Sequence, residues 1–189
     1  KKPIEGLYVD RNKDGVINDA DKTKIGDPFP DFTMGWNLNL EYKSFDFTAF
    51  TYASVGNEVY RAYERNANYT NKDRMILARW TGAGTATSSK NPRYSFTDAN
   101  SNIRVSDRYV EDGSFIKLKN VQLGYTFPAK MTGKIFSKLR IYAQVRNAFT
   151  LTKYTGLDPE ISGGILDTGV DRGAYPQART YALGIDITL

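Results

Sequence analysis

The sequence contains no cysteine and no histidine among its 189 residues. Without cysteine the chain has neither a disulfide nor a thiolate site, and without histidine it lacks the commonest general base and the commonest zinc ligand. No apolar run approaches the roughly 20 residues that a membrane-spanning helix needs. The formal charge of +5 is spread along the chain, whereas a nucleic-acid-binding surface needs a basic stripe with interleaved aromatic residues. These absences exclude thiol chemistry and disfavour histidine-based catalysis, helical membrane spans and nucleic-acid binding.

Five stretches of the chain alternate apolar and polar residues, which is typical of β-strands with one apolar face. The clearest stretch runs from Phe32 to Tyr42, where the even positions are apolar and the odd positions are polar or glycine. The alternation predicts strands at 31–43, 45–54, 114–127, 139–151 and 179–189. In the second strand, Phe50 and Tyr52 fall on the polar face. In the third, a change of phase predicts a β-bulge near Lys119-Asn120.

The connections between these strands alternate in length: tight at 43–44, long at 55–113, medium at 128–138 and long at 152–177. Outer-membrane barrels have short periplasmic turns and long extracellular loops. The polar faces are rich in Gly, Asn, Gln and Thr, as expected for a wall that faces a wet lumen. We therefore predict an all-β fold, specifically an antiparallel transmembrane β-barrel segment with long extracellular loops.

On this interpretation residues 1–189 form one partial β-barrel domain. The extracellular segments are 1–30, 55–113 and 152–177, the hairpins are 31–54 and 114–151, and the terminal strand is 178–189. Five strands are too few to close a membrane barrel, which needs about eight. The chain also starts at Lys1 without a secretion signal, so either the signal has been removed or the polypeptide continues upstream, and we favour the second interpretation. Within the long loop, the sequence predicts helical pieces from Asn57 to Trp80 and an irregular loop at 82–93.

A soluble β-sandwich also has alternating strands. The residues therefore leave a second interpretation open, a calcium-stiffened β-module for surface attachment or glycan binding. The last strand favours the barrel, because Gly184, Ile187 and Leu189 fit a terminal barrel-assembly pattern of glycine followed by apolar residues at the third and fifth positions. Leucine stands where that pattern usually has an aromatic residue. Solubility without detergent would distinguish the two interpretations.

The segment from residue 10 to residue 21 matches a twelve-residue calcium loop, with one departure. The expected oxygen ligands are the side chains of loop positions 1, 3, 5 and 12 and the backbone carbonyl of position 7, here Asp10, Asn12, Asp14, Asp21 and Val16. A glycine, Gly15, permits the sharp turn at position 6. The usual glutamate at position 12 is replaced by the shorter Asp21. These oxygen ligands suit a hard cation, so the loop predicts structural Ca²⁺ that stiffens a surface segment.

Four aromatic residues of the long loop are candidates for substrate contact, although such residues also pack loops onto barrels: Tyr60, Tyr63, Trp80 and Tyr94. We predict no catalytic residue and no enzymatic activity. The carboxylates Asp158, Asp167 and Asp171 lie near arginines, and nothing in the pattern marks one of them as the acid of a glycosidase pair. The charge cluster from Asp107 to Asp112 is interpreted as an ordered outer rim held by ion pairs.

Taken together, these blocks resemble SusC/RagA-type TonB-linked (TonB-dependent) outer-membrane transporters, in their C-terminal part. The matching stretches are Tyr8–Asp19, Ile25–Gly35, Phe45–Phe50, Ser106–Tyr125, Leu139–Glu160 and Gly169–Tyr181. Their order and spacing hold over nearly the whole chain, and 81–105 is nondescript, as expected for a variable outer loop.

The resemblance implies a plugged barrel of about 22 strands, of which this chain would supply the last five. It implies import of glycans or peptides across the outer membrane of a Gram-negative cell by a multi-pass receptor. The implied partners are the remainder of the barrel and its plug, a SusD-like surface lipoprotein that lids the barrel, the TonB complex acting through the missing plug, and membrane lipid. The substrate is not specified by the sequence.

Overall fold

The computed structural model describes residues 8–63, 77–85, 104–133, 136–161 and 164–188. These described residues contain eight strands, β1 Phe32–Tyr42, β2 Phe45–Val55, β3 Glu58–Arg61, β4 Val110–Asp112, β5 Phe115–Thr126, β6 Lys138–Thr152, β7 Val170–Asp171 and β8 Thr180–Thr188. One short helix, α1, spans Ala129–Thr132, and single 3-10 turns occur at Asp19–Asp21, Asp107–Tyr109 and Ile165–Asp167. No helix among the described residues has the length and hydropathy to cross a membrane.

Five long strands form one antiparallel sheet in the order β1-β2-β5-β6-β8. Each lies within about two residues of its predicted bounds, so the all-β prediction is confirmed. The turn between β1 and β2 consists of Lys43 and Ser44, and Lys43 adopts a positive φ of 55°. The tight turn, the short helix α1 that follows β5, and the end of β8 lie at one rim, which we call the turn rim. The other rim, where β2 and β6 end and where β5 and β8 begin, is called the loop rim.

The predicted β-bulge is present in β5. Phe50 and Thr51 are consecutive on β2 but pair with Asn120 and Leu118, so Lys119 is the extra residue. The pairing of β5 with β6 is also irregular between Leu118 and Asn120. The bulge explains why one apolar row can continue through a strand whose sequence changes phase.

The cross-strand pairs place all the long apolar rows on one face of the sheet. Residues from all five strands share this face, among them Trp36, Leu38, Leu123, Ile141, Ala143, Leu183 and Ile185. Most of these side chains are exposed, Leu183 to 87%, so no second sheet of the described residues covers them, as a sandwich would require. Polar residues and glycine occupy the opposite face, among them Asn37, Asn39, Gln122, Gln144, Gly184 and Asp186. We call these the outer and inner faces.

The sheet does not close on itself. Among the described residues, β1 pairs only with β2 and β8 pairs only with β6, so each presents one free edge. The prediction that these five strands do not close into a barrel by themselves is confirmed for the described residues.

A second, three-stranded sheet in the order β4-β3-β7 corrects the prediction for the long loop. The helical prediction for Asn57–Trp80 is wrong at Glu58–Arg61, which is strand β3, and residues 64–76 lie outside the described part. Val59 and Arg61 are buried and alternate with the more open Glu58 and Tyr60, so the local period is two. Pairing with β4 and β7 overrides the helix propensity of these residues. The predicted loop at 82–93 is described only up to residue 85, where it is a turn.

Candidate functional site

The small sheet gathers three separate parts of the chain at the loop rim. Backbone hydrogen bonds join Glu58 N–H to the Asp27 carbonyl and Tyr60 N–H to the Gly169 carbonyl, each at 2.8 Å. Glu58 Oε2 in turn accepts the N–H of Asp27 at 2.8 Å. We call the assembly of β3, β4 and β7 with segments 25–28 and 153–161 the rim cap.

One face of β3 carries a buried ion pair. Arg61 Nε lies 3.1 Å from Glu111 Oε1, with the Arg61 side chain almost fully buried. Glu111 also accepts hydrogen bonds from the N–H and the hydroxyl of Thr155, at 2.9 and 2.8 Å. The predicted role of the 107–112 cluster as an ordered rim agrees with this arrangement, since Glu111 connects β4 to both β3 and the last long loop.

A buried tyrosine fixes the same loop to β7. The Tyr154 hydroxyl donates to Asp171 Oδ2 at 2.6 Å, and both residues are buried. Burial, and then the hydrogen bond to Asp171, raises the pKa of Tyr154 above its usual value. A Cβ on Gly156 would lie 2.3 Å from the Tyr154 ring, so only glycine lets the loop pass this close.

Lys117 on the inner face holds the start of the loop against the wall. Its side chain is 1% exposed, and Nζ lies 2.9 Å from Asp158 Oδ1 and 2.8 Å from Glu160 Oε2. Lys119, the bulge residue, also contacts Glu160. This cluster, Lys117, Lys119, Asp158 and Glu160, is called the loop clamp.

The electrostatics of the clamp favour ionised carboxylates. Burial alone would raise the pKa of Asp158, but hydrogen bonds from Lys117 and from the backbone N–H groups of Glu160 and Gln177 lower it below its usual value. Burial likewise opposes the hydrogen bonds from Lys117 and Lys119 at Glu160, and the net effect is a lowered pKa. Sequence reasoning missed Lys117 and Glu160 as partners. The alternation placed Lys117 on the polar face, but its partners lie 41 and 43 residues away.

Three of the four predicted aromatic residues lie in the described part of the chain. Tyr60 packs edge-on against Tyr109, with ring centroids 6.1 Å apart. Tyr63 lies next to Gly173, because a Cβ built on Gly173 would be 3.7 Å from the Cβ of Tyr63. Trp80 is half-buried, and Tyr94 lies outside the described residues.

Tyr60 borders a cavity of about 180 Å³ in the rim cap. The described lining is mainly aliphatic and includes Ile25, Gly26, Asp27, Pro28, Glu58, Tyr60, Val105, Val110, Thr168, Gly169 and Val170. The Tyr60 hydroxyl oxygen is buried and has no hydrogen-bond partner among the described residues. A cavity of this size holds one ring or one branched side chain.

The predicted calcium loop adopts a turn rich in side-chain-to-backbone hydrogen bonds. Gly15 N–H donates to Asp10 Oδ2 at 2.8 Å and Val16 N–H donates to Asp14 Oδ1 at 2.8 Å. Asp21 closes the loop by accepting the N–H groups of Arg11 and Asn18. Gly15 has a φ of 83°, as the sharp turn requires.

The fit to a cation is incomplete in this geometry. Asp10 Oδ1 is buried without a partner among the described residues, which leaves one oxygen available. However, no three His, Cys, Asp or Glu side chains of the described residues converge as a metal-binding group. The Asn12 amide nitrogen donates to Asp14 Oδ2 at 2.7 Å, and a bound cation would have to replace this contact. The calcium assignment stays a prediction.

Comparison with known proteins identifies close relatives, although no protein-family model matches the chain. The TonB-dependent receptor P3 of Formosa agariphila is 36% identical over 197 residues, covering 96% of this chain and 18% of the relative. The TonB-dependent receptor SusC of Bacteroides thetaiotaomicron is 34% identical over 196 residues, covering 98% of this chain and 18% of the relative.

The fold is also shared with solved structures. The RagAB peptide importer in its "closed-closed" state matches with a TM-score of 0.65 and 26% identity over 85% of this chain and 17% of that chain. In the "open-open" state the TM-score is 0.62 at 27% identity, over 85% and 17% of the two chains. The chain thus spans about a fifth of the length of the curated relatives that it matches. It belongs to the TonB-dependent receptors of the SusC and RagA type, as a β-barrel segment of an outer-membrane protein.

Proposed function

We propose that this chain is the C-terminal barrel wall of a TonB-dependent importer that takes up glycans or peptides. The observation that carries the proposal is the open five-strand wall, apolar on the outer face and polar on the inner face, in a chain related to such receptors. A lipid-facing and a lumen-facing surface of this kind suit a segment of a larger barrel. The wall supplies no energy coupling itself, which we assign to the TonB complex acting through the plug.

Growth tests the proposal. A strain lacking the full-length receptor should lose growth on its glycan or peptide source, and the intact gene should restore it. Restoration should fail in a strain without TonB. Unchanged growth of the receptor deletion on every glycan and peptide tested, with uptake of labelled glycans and peptides also unchanged, would refute import as its function.

The orientation follows from the two rims. We propose that the turn rim is periplasmic and that the loop rim, with the rim cap and the predicted calcium loop, is extracellular. Short turns on one side and long loops on the other support this orientation. Protease added to intact cells should cut an epitope inserted after Gly84 but not one inserted between Lys43 and Ser44. Cleavage only at the turn would reverse the orientation.

We propose no catalytic role for the rim cap. Its carboxylates Glu111, Asp158 and Asp171 are engaged with Thr155, Lys117 and Tyr154 respectively. A SusD-like surface lipoprotein is the proposed partner at the loop rim, where Leu157 and Tyr175 are exposed outside the lipid-facing rows. Substituting both by serine should weaken co-purification of the lipoprotein with the full-length receptor, whereas a lipid-facing substitution such as Leu183→Val should not.

The Tyr60 cavity is the proposed contact for one apolar group of the substrate, with Tyr63, Trp80 and Tyr94 as further candidates. The mainly aliphatic lining of the cavity supports this role. Removing the ring in Tyr60→Ala should reduce affinity for the imported substrate about tenfold, which corresponds to about 1.4 kcal/mol of lost apolar contact. Unchanged affinity together with unchanged receptor stability would exclude Tyr60 as a contact.

Calcium is the proposed cofactor of the loop from Asp10 to Asp21, with a structural role. The oxygen of Asp10 that has no partner among the described residues supports it. Asp14→Ala should lower the melting temperature of the receptor in calcium but change it little in chelator. Equal destabilisation in both conditions would argue against the site.

A further inference from the structure

The apolar pattern of this wall determines which side chains of each strand face outward. It does not distinguish the native strand register from registers that are shifted by two residues. A slip of one residue would turn every apolar row inward, whereas a slip of two keeps all of them outward. The last strand, β8, is vulnerable to such a slip because its outer positions Tyr181, Leu183, Ile185 and Ile187 are all large and apolar. Some feature of the inner face must therefore distinguish the native register.

One row across the inner face has a glycine on each side of an aromatic ring. Gly124 on β5 and Gly184 on β8 both pair directly with Tyr142 on β6. The Tyr142 ring lies over Gly184, where an added Cβ would be 2.2 Å from Cζ and 2.4 Å from the hydroxyl oxygen. Any other residue opposite Tyr142 would displace the ring.

The space over the second glycine is taken by an ion pair. Arg140 reaches across β5 to Asp46 on β2, with Nε and Nη2 donating to the two carboxylate oxygens at 2.9 and 2.6 Å. An added Cβ on Gly124 would lie 2.3 Å from Asp46 Oδ2 and 2.5 Å from Arg140 Nη2. The Arg140 guanidinium lies 5.0 Å from the Tyr142 ring centroid, so the ring cannot swing over Gly124 without breaking the ion pair.

We propose that these five residues, Asp46, Gly124, Arg140, Tyr142 and Gly184, form a register latch that sets the pairing of β2, β5, β6 and β8. A slip of β8 by two residues would place Ala182 or Asp186 opposite Tyr142, and either side chain would collide with the ring. The same slip would remove Asp186 from Arg140, whose Nη1 donates to Asp186 Oδ2 at 2.8 Å. The native register alone gives Tyr142 a glycine and Arg140 both of its carboxylates.

Engineered cysteine pairs in the full-length receptor test the latch, since the chain has no native thiol. A disulfide forms only when the two Cα atoms lie within about 7 Å. Ala143→Cys with Leu183→Cys reports the native register, and Ala143→Cys with Ile185→Cys or with Tyr181→Cys reports the two slipped registers. Adding Gly184→Ala should lower the amount of folded barrel in the outer membrane and raise the ratio of slipped to native disulfide about tenfold.

A second variant keeps the test decisive if Gly184→Ala does not assemble. Tyr142→Ala removes the ring, so Gly184→Ala in that background should assemble, with slipped disulfides present. Gly35→Ala is the matched control, because its Cβ would meet only Phe50, at an ordinary 3.5 Å. Native assembly and native disulfides in Gly184→Ala would overturn the latch, and so would failure of Tyr142→Ala to restore assembly.

Discussion

The ammonium of Lys117 on β5 lies 2.9 Å from Asp158 Oδ1, joining the inner face of the wall to a loop 41 residues further along the chain. Lys117 is buried, so its positive charge is stable only if it is paired, and the carboxylates of Asp158 and Glu160 supply the opposite charge. The carboxylates in turn hold the loop against the wall. The last long loop therefore starts as a fixed part of the rim cap, and its attachment can be tested by substitution.

Replacing Lys117 by methionine should release segment 153–161 from the wall. The methionine keeps most of the volume but leaves Asp158 without its cation and Glu160 with Lys119 only. Breaking a buried ion pair costs about 3 kcal/mol, so hydrogen exchange in this segment of the full-length receptor should accelerate strongly. The exposed neighbour Lys153→Met is the matched control and should leave exchange unchanged. If segment 153–161 were equally protected from hydrogen exchange in Lys117→Met and in Lys153→Met, the loop clamp would be contradicted.

The loop clamp should also make the rim cap sensitive to acid. The pKa values of Asp158 and Glu160 are lowered in the folded protein. Their stabilising contribution is therefore complete above the ordinary carboxyl range near pH 4 and is lost as the pH falls through the lower, folded values.

Hydrogen exchange of segment 153–161, corrected for intrinsic rates, should lose protection as the pH is lowered from 6 to 3. In Lys117→Met the protection of this segment should depend less on pH, because Asp158 and Glu160 no longer receive the hydrogen bonds from Lys117 that lower their pKa values. A pH dependence that is identical in the wild type and in Lys117→Met would show that other groups produce it.

The long strands were predictable because each is half apolar, and the period-two signal from Phe32 to Tyr42 needs no tertiary information. Even the bulge at Lys119 was visible as a change of phase. The short strand at Glu58–Arg61 was not, since four residues carry too little periodicity and its pairing partners are distant in sequence. The contacts that build the rim cap, such as the ion pair between Arg61 and Glu111, join residues that are distant in sequence. Composition and spacing do not show which loop segments fold back against each other.

The buried tyrosine of the rim cap gives a prediction at alkaline pH. The Tyr154 pKa is raised by burial and by Asp171, so the folded state keeps the hydroxyl proton that the unfolded chain loses near pH 10. Stability from this residue is complete below pH 10 and declines as the pH rises towards the folded value.

Tyr154→Phe should therefore destabilise the rim cap at neutral pH by about 1–3 kcal/mol, since Asp171 loses a buried donor. The difference in unfolding free energy between the wild type and Tyr154→Phe should become smaller above pH 10. Thermal unfolding of the receptor at pH 7 and pH 11 measures both effects. Tyr175→Phe is the control, because this side chain is 92% exposed and should change neither value.

The two faces of β8 give the most direct test of the barrel wall, because neighbouring residues should respond oppositely. Ile185 pairs with Ile141 on the outer face and is 65% exposed within the chain. A charge at this depth in lipid costs about 2–4 kcal/mol, so Ile185→Arg should reduce the amount of folded, heat-modifiable receptor in the outer membrane.

Asp186 lies on the inner face with its side chain 54% exposed. Asp186→Asn keeps an oxygen acceptor for Arg140 and should be tolerated. Ile185→Leu controls for the change of residue itself. Normal assembly of Ile185→Arg combined with loss of Asp186→Asn would mean that the faces are assigned the wrong way round.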